Sequence, residues 1–254
     1  MWTRAGLKQR AKNVLSTSYW KAFLVSIILM IVGGGYSPPS FNYNYNSTHN
    51  SYTGNGSESF GDFFAVFLGI FIVAFLVILA VTLAFRIFLG FPLEVGSMKY
   101  FKRAAEYEVN LNHLGYGFNR NRYWDIVKAM FWKGLLNFLW YLLLIIPGII
   151  KYYAYSMVPF ILADNPNIGS KRAVELSNQM TRGHKFNIFV LDLSFLGWIL
   201  LGTLACFVGV IFVAPYINAT KAELYLALRH EALLKGETSL EELKLAPPPP
   251  MHYT

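Results

Sequence analysis

The chain has 254 residues and a net charge of +8; 55% of its residues are hydrophobic, 17% aromatic and only 14% charged. Soluble domains carry about 25% charged residues, and here the apolar residues gather in long blocks, so a soluble domain does not describe the chain. The surplus positive charge flanks those blocks and no base-reading motif accompanies it, which excludes nucleic acid as the expected partner and points to anionic headgroups at a membrane.

The first element is an amphipathic helix over residues 1–18. Leu7, Ala11, Val14 and Leu15 share one face, and Lys8, Arg10 and Lys12 lie off it. Such helices lie in the interface. Span one follows over Trp20–Gly33, with Trp20 and Lys21 as interfacial anchors. A basic start and a short apolar stretch also fit a cleavable leader, but no Ala-x-Ala site follows. Residues 36–60 are rich in Asn, Tyr, Ser and Gly, and no Lys or Arg occurs between Lys21 and Arg86. Basic residues stay on the cytoplasmic side, so this loop is expected outside. Span two covers Asp62–Leu89, and Ala65–Phe85 is free of charge.

A basic stretch from Lys99 to Lys128 returns the chain to the inside. The next block, Asp125–Ala163, has 39 residues. As one helix it would measure about 58 Å against a hydrocarbon core of about 30 Å. Both flanks are basic, so the number of crossings is even. Pro147 and Gly148 are the expected hairpin turn, with span three near Asp125–Ile146 and span four near Gly148–Ala163. Lys151 then falls beside the outer turn. The last block, Phe186 to about Leu228, again suits two spans, turning near Leu204–Gly209. Residues 236–254 read as a disordered tail carrying four consecutive prolines.

The three units share a pattern. Their inner starts carry Trp20-Lys21, Trp132-Lys133 and His184-Lys185, expected as interfacial anchors, and their inner ends carry Pro92, Pro159 and Pro215, expected as helix kinks. Each unit follows an amphipathic segment; before the third, Ala173, Val174, Leu176 and Met180 fall at helical spacing. Either the units are true repeats, or spans simply reuse Trp, Lys and Pro at their ends. A proline frees a carbonyl one turn earlier. Two ionisable groups lie within apolar blocks, Asp192 and Arg86. Both fall toward the inner half, so they are expected to pair with each other, as a substrate or proton site or as a structural pair; Lys185 or Ser194 is the alternative partner for Asp192. Such residues are costly in lipid and face a partner or a cavity.

No catalytic constellation emerges. The histidines, His49, His113, His184, His230 and His252, are scattered, and no zinc-protease, nucleophile-elbow or nucleotide-loop motif occurs. An enzyme, a cofactor and a metal are not expected.

Several stretches carry a resemblance: Arg4-Ala-Gly-Leu-Lys8 through Tyr19-Trp20-Lys21-Ala22, Ile146-Pro147-Gly148-Ile149-Ile150, Tyr155-Ser156-Met157-Val158-Pro159, Asp164-Asn165-Pro166, Gly183-His184-Lys185, and Leu193-Ser194-Phe195-Leu196-Gly197-Trp198. Together they resemble the bacterial membrane family known as domain of unknown function 975, over about residues 1–230. The resemblance implies a polytopic protein of the bacterial plasma membrane and transfers no activity, substrate or catalytic residue.

The expectation is an all-α membrane protein of six transmembrane helices arranged as three helical hairpins. Amphipathic interfacial helices lie on the cytoplasmic face, both termini are cytoplasmic, and the transmembrane domain covers 19–235. Two function classes stay open: non-catalytic binding or movement of a lipid or hydrophobic peptide, and a scaffold or regulatory subunit with no substrate. Expected partners are membrane lipids, including anionic headgroups, and a further protein.

Overall fold

The structure, a computed structural model, describes residues 2–32, 57–204 and 208–245. Its helices are α1 (Arg4–Val32), α2 (Ser57–Phe85), α3 (Phe91–Ala105), α4 (Arg120–Leu143), α5 (Ile145–Ala154), α6 (Val158–Asp164), α7 (Ser170–Met180), α8 (Lys185–Leu204) and α9 (Val208–Leu234). A π-helical turn, Arg86–Gly90, joins α2 to α3, and a 3-10 helix, Leu111–Phe118, precedes α4. Four stretches of the described residues are long and apolar enough to cross a membrane: Arg4–Met30, Val66–Ala105, Arg120–Leu143 and Ile145–Asp164. The chain is therefore a membrane protein, and its regular structure among the described residues is all helical. The expected outer loop up to residue 56, residues 205–207 of the expected last turn and residues 246–254 lie outside the described residues.

The expected amphipathic helix and span one are a single helix. Leu7, Ala11, Val14, Ser18, Ala22, Val25 and Leu29 are buried along α1. These positions advance eleven residues in three turns, so the stripe keeps to one face. It packs along α9 and α3. The 18/19 boundary is a kink and not an end: Ser18 has φ −130° and ψ 18°, and its hydroxyl donates to the Val14 carbonyl at 2.9 Å. Back-bonding of this kind bends helices. The predicted apolar face of the first half is thus covered by protein. The same holds for α7, where Ala173, Val174, Leu176 and Met180 are all buried.

Helix α2 is the opposite case. Every side chain from Val66 to Phe85 is exposed. A helix apolar on all faces suits lipid, and α2 does not pair with α1 as a hairpin would require; its neighbour is the π turn that continues it. The helix also does not stop at Leu89 but runs on into α3.

The α4–α5 pair does form a hairpin. Its turn corrects the expected one: the break is at Leu144, whose φ of −161° and ψ of 143° are extended, and Pro147 and Gly148 lie in the first turns of α5. Proline is tolerated there because the N–H it lacks would have no partner within the helix. Gly148 serves a close approach, since a Cβ on it would stand 2.5 Å from the Tyr141 ring of α4. Lys151 consequently sits about 10 Å down α5 from the turn, over the Trp140 ring at 4.9 Å. In α8, Ile188, Leu191 and Phe195 are buried, and α8 packs on α9. Near the far ends of this pair a Cβ on Gly202 would meet the Val210 nitrogen at 2.7 Å, the backbone contact that small residues permit between membrane helices.

The tail from 236 to 245 is not disordered. Leu243 is fully buried, Thr238 is buried, and the Asn165 amide donates to the Glu242 carbonyl at 2.8 Å.

Candidate functional site

The three expected kink prolines lead into helices that meet. Pro159 occupies the first turn of α6, a correction to its reading as a helix kink; Pro92, at the start of α3, follows the π turn inside the helical run that continues α2, and Pro215 lies inside α9. Helix α3 packs on both α6 and α9. Phe160 of α6 stacks on Tyr225 of α9 at 5.1 Å. At the meeting point Asp164, at the end of α6, has its carboxylate fully buried. Lys102 pairs with it, the Tyr225 hydroxyl donates to it at 2.6 Å, and Arg229 reaches it at 3.2 Å. Arg229 also binds Glu106 at 2.8 Å. Lys102 and Glu106 stand ten and fourteen residues after Pro92; Tyr225 and Arg229 stand ten and fourteen after Pro215. Equivalent positions of two units thus converge on the aspartate of the third.

Carbonyls near each proline are also satisfied in rotation. The Phe88 carbonyl, deprived of its helical donor by Pro92, accepts from the Tyr123 hydroxyl of α4 at 2.8 Å. The Ala154 carbonyl, ahead of Pro159, accepts from Ser177 of α7 at 2.8 Å. The Phe212 carbonyl, ahead of Pro215, accepts from Tyr19 of α1 at 3.0 Å. In each case the donor comes from the segment leading into another unit, so the three exits and three starts interlock as a ring.

A second polar cluster lies deeper. The expected pair of Arg86 with Asp192 is not formed directly. Arg86 binds Glu94 at 3.1 Å, Glu94 lies 3.8 Å from Lys133, and Asp192 lies 3.7 Å from Lys221. Arg86 and Asp192 therefore belong to two groups of charges, Arg86–Glu94–Lys133 and Lys221–Asp192, drawn from the π turn, α3, α4, α8 and α9. The alternative partners of Asp192 are taken elsewhere: Ser194 accepts from Lys8 at 2.8 Å, and Lys185 donates to Asn178 at 2.9 Å.

Residues 138–232 match the family model described as Protein of unknown function (DUF975). This is the family that the sequence resembles. No curated protein and no solved structure matches the chain. The DUF975 match takes in Asp164, Asp192, Lys221, Tyr225 and Arg229; Lys102 and Glu106, which partner Asp164 and Arg229, and the Arg86–Glu94–Lys133 group lie before it.

The expected anchors divide. Trp20 is 73% exposed and Lys21 is exposed, as interfacial side chains should be. Trp132 packs against the core, and Lys133 pairs with Glu94. His184 contacts Glu231 at 3.1 Å and the Trp2 ring at 5.9 Å. The aromatic-lysine signature thus marks three different environments.

Beside the Asp164 network opens a cavity of about 950 Å³, lined by Lys99, Lys102, Arg103, Arg229 and Lys244 together with Glu106 and Asp164. The ordered tail forms part of its wall. Arg172 of α7 holds that tail: its Nε and Nη2 donate to the two Glu242 carboxylate oxygens at 2.6 and 3.1 Å, and Nη2 also donates to the Glu237 carbonyl at 2.8 Å. Sequence reading passed over this latch because nothing local marks Arg172 or Glu242, which stand 70 residues apart.

The hydrogen bond from Arg172 holds the Glu242 carboxyl below its ordinary pKa, and the Thr238 hydroxyl adds to this against the effect of burial. A lowered folded-state pKa gives stabilisation that is complete above the unfolded value and lost as pH falls through the folded one. Docking of residues 237–245 is therefore expected to hold from neutral pH to about 5 and to loosen below about 4, near and under the free carboxyl value. Hydrogen exchange of this segment, corrected for intrinsic rate, measures it. Arg172→Ala should expose the segment at every pH; a segment equally protected in that variant would show that the latch holds nothing.

Proposed function

We propose that this is a multi-pass protein of a bacterial plasma membrane, with both ends cytoplasmic, that binds or moves a lipid or hydrophobic peptide without catalysis. In this reading α1, α2, α8 and α9 cross the bilayer, and the α4–α5 hairpin enters from the cytoplasmic side. The count differs from six crossings but keeps their even number.

The observation that carries the functional reading is the two groups of charges, Arg86–Glu94–Lys133 and Lys221–Asp192, set among helices whose outward faces are apolar. Phe138, Leu142, Leu193 and Trp198 are all at least half exposed. Charges within a membrane are retained where they meet a partner or a polar ligand. An amphiphile presents both characters at once, a polar group for these charges and an apolar body for the surrounding helices. Native mass spectrometry of the protein in mild detergent is expected to reveal one co-purified lipid or peptide species. Asp192→Asn should lose that species while the protein still accumulates. Loss of the folded protein instead would make Asp192 structural, and an empty wild-type core would defeat the reading.

A scaffold or regulatory subunit is the second reading, favoured by the bare surface of α2, which a helix of another protein would cover as well as lipid does. A constant protein partner in the same spectra, with an empty core, would select it.

A further inference from the structure

The cavity beside Asp164 is strongly unbalanced in charge. Five cationic side chains line it against two carboxylates, and Glu108, facing Arg103 at 3.2 Å, brings the opposing total to three. A surplus of two positive charges remains. The inner cations are not equivalent. Lys102 and Arg229 are consumed by Asp164 and Glu106. Lys99 has no carboxylate: its ammonium donates to the Ala163 carbonyl at 3.1 Å and lies 3.3 Å from the centre of the Tyr116 ring. Arg122 lies over the same ring at 4.5 Å, which leaves still more positive charge nearby. Lys244, on the tail, reaches only the Asn167 amide oxygen at 3.5 Å. The Arg103 Nε is buried with no hydrogen-bond partner. A buried donor left without an acceptor is costly; around this opening Lys99 and Lys244 have no carboxylate, and Arg103, paired through Nη1 with Glu106 and Glu108, leaves its Nε without an acceptor.

We infer that this cavity binds a phosphate group, with Lys99, Arg103 and Lys244 as its ligands. Phosphate fits because it accepts several charge-assisted hydrogen bonds and carries the charge that the lining lacks. Leu226, Leu233 and Leu240 also line the cavity, so the phosphate can belong to a lipid headgroup whose glycerol lies against leucine, or it can be free. The Asp164 network is the rigid floor of the site and is not itself a ligand. The site stands apart from the charges around Glu94 and Asp192, none of which lines the cavity.

The test uses the full chain in a non-ionic maltoside detergent, with calorimetric titration of three probes: dihexanoyl phosphatidylglycerol, dihexanoyl phosphatidylcholine and inorganic phosphate. The anionic lipid is expected to bind saturably at one site. The double variant Lys99→Gln/Lys244→Gln should weaken it about tenfold or more, as loss of a charge-assisted hydrogen bond implies. Lys171→Gln, the same change of charge on α7 outside the cavity lining, should leave it unaltered, and Lys244→Gln alone should show an intermediate loss. Competition by inorganic phosphate at equal concentration would assign the site to free phosphate; its failure to compete would assign it to the headgroup. Equal binding of phosphatidylcholine, wild-type affinity in the double variant, or an equal loss in Lys171→Gln would overturn the site. Saturable phosphate binding by protein with no co-purified amphiphile would sink the proposed function and leave this inference standing.

Discussion

Asp164→Ala is expected to abolish accumulation of folded protein in the membrane. The carboxylate is fully buried, and the Lys102 side chain that pairs with it is only 2% exposed. Removing one partner of such a pair leaves the other as an uncompensated buried charge and costs about 3–5 kcal/mol, a large share of the stability of a typical domain. The loss here is compounded, because Tyr225 and Arg229 surrender an acceptor at the same moment. Tyr225→Phe should be much milder, about 1–3 kcal/mol, since Lys102 and Arg229 still neutralise the aspartate. The decisive control is the triple variant Lys102→Met/Asp164→Leu/Tyr225→Phe. It deletes the charges together with the hydroxyl that serves them, and apolar replacement of a buried pair is often neutral or stabilising; Arg229 retains Glu106. Recovery of folded protein in the triple variant, read by thermal unfolding in detergent, would establish that desolvated charge, and not lost volume, defeats the single variant. If Asp164→Ala accumulates and melts as the wild type does, three helices meet there without depending on their polar centre.

That network was nearly invisible in the sequence, for a physical reason. Asp164 stands in Asp-Asn-Pro at the end of an apolar run, where a carboxylate ordinarily marks a solvated turn. Its partners lie 61, 62 and 65 residues away, beyond the reach of any local pattern. The register after the prolines was the available signal: Lys102 and Tyr225 share one offset, Glu106 and Arg229 another. Periodicity, by contrast, found the buried faces of α1 and α7 correctly, because burial on a helix repeats whether lipid or protein does the covering. It did not say which. The faces read as lying on a membrane are packed on other helices, whereas α2, whose uniform apolarity carries no face at all, is bare along its whole described length. Lys133 shows the same limit. A tryptophan-lysine pair at a span end reads as an anchor, and only the return of α3 with Glu94 makes its lysine a partly buried ion.

The turn at Leu144 leads to the last expectation: a cysteine placed there should be unreachable from either side of the membrane. The fourth apolar stretch, Ile145–Asp164, is long enough to cross by composition, but it is not one helix. It breaks over residues 155–157, and α6 beyond the break is buried throughout and ends in the Asp164 network. Only α5 remains to pass through lipid, and its ten residues rise about 15 Å, half of a hydrocarbon core of about 30 Å. The lower end of α5 is fixed, because the Ala154 carbonyl accepts from Ser177 and Thr181 of α7, a helix whose other face carries Lys171, Arg172, Glu175 and Gln179. The tip therefore stops near the bilayer centre. Its composition agrees: residues 142–146 are all Leu or Ile and all exposed, whereas a turn emerging into water would carry polar residues. With Cys206 replaced by serine, Ser51→Cys in the outer loop should be labelled by an impermeant maleimide on intact cells, and Lys244→Cys only after permeabilisation. Leu144→Cys should resist both treatments and react only once detergent unfolds the protein. Labelling of Leu144→Cys from outside, at the rate of Ser51→Cys, would restore six full crossings, because a hairpin of that reach must carry α5 and its lysine through the whole of the bilayer.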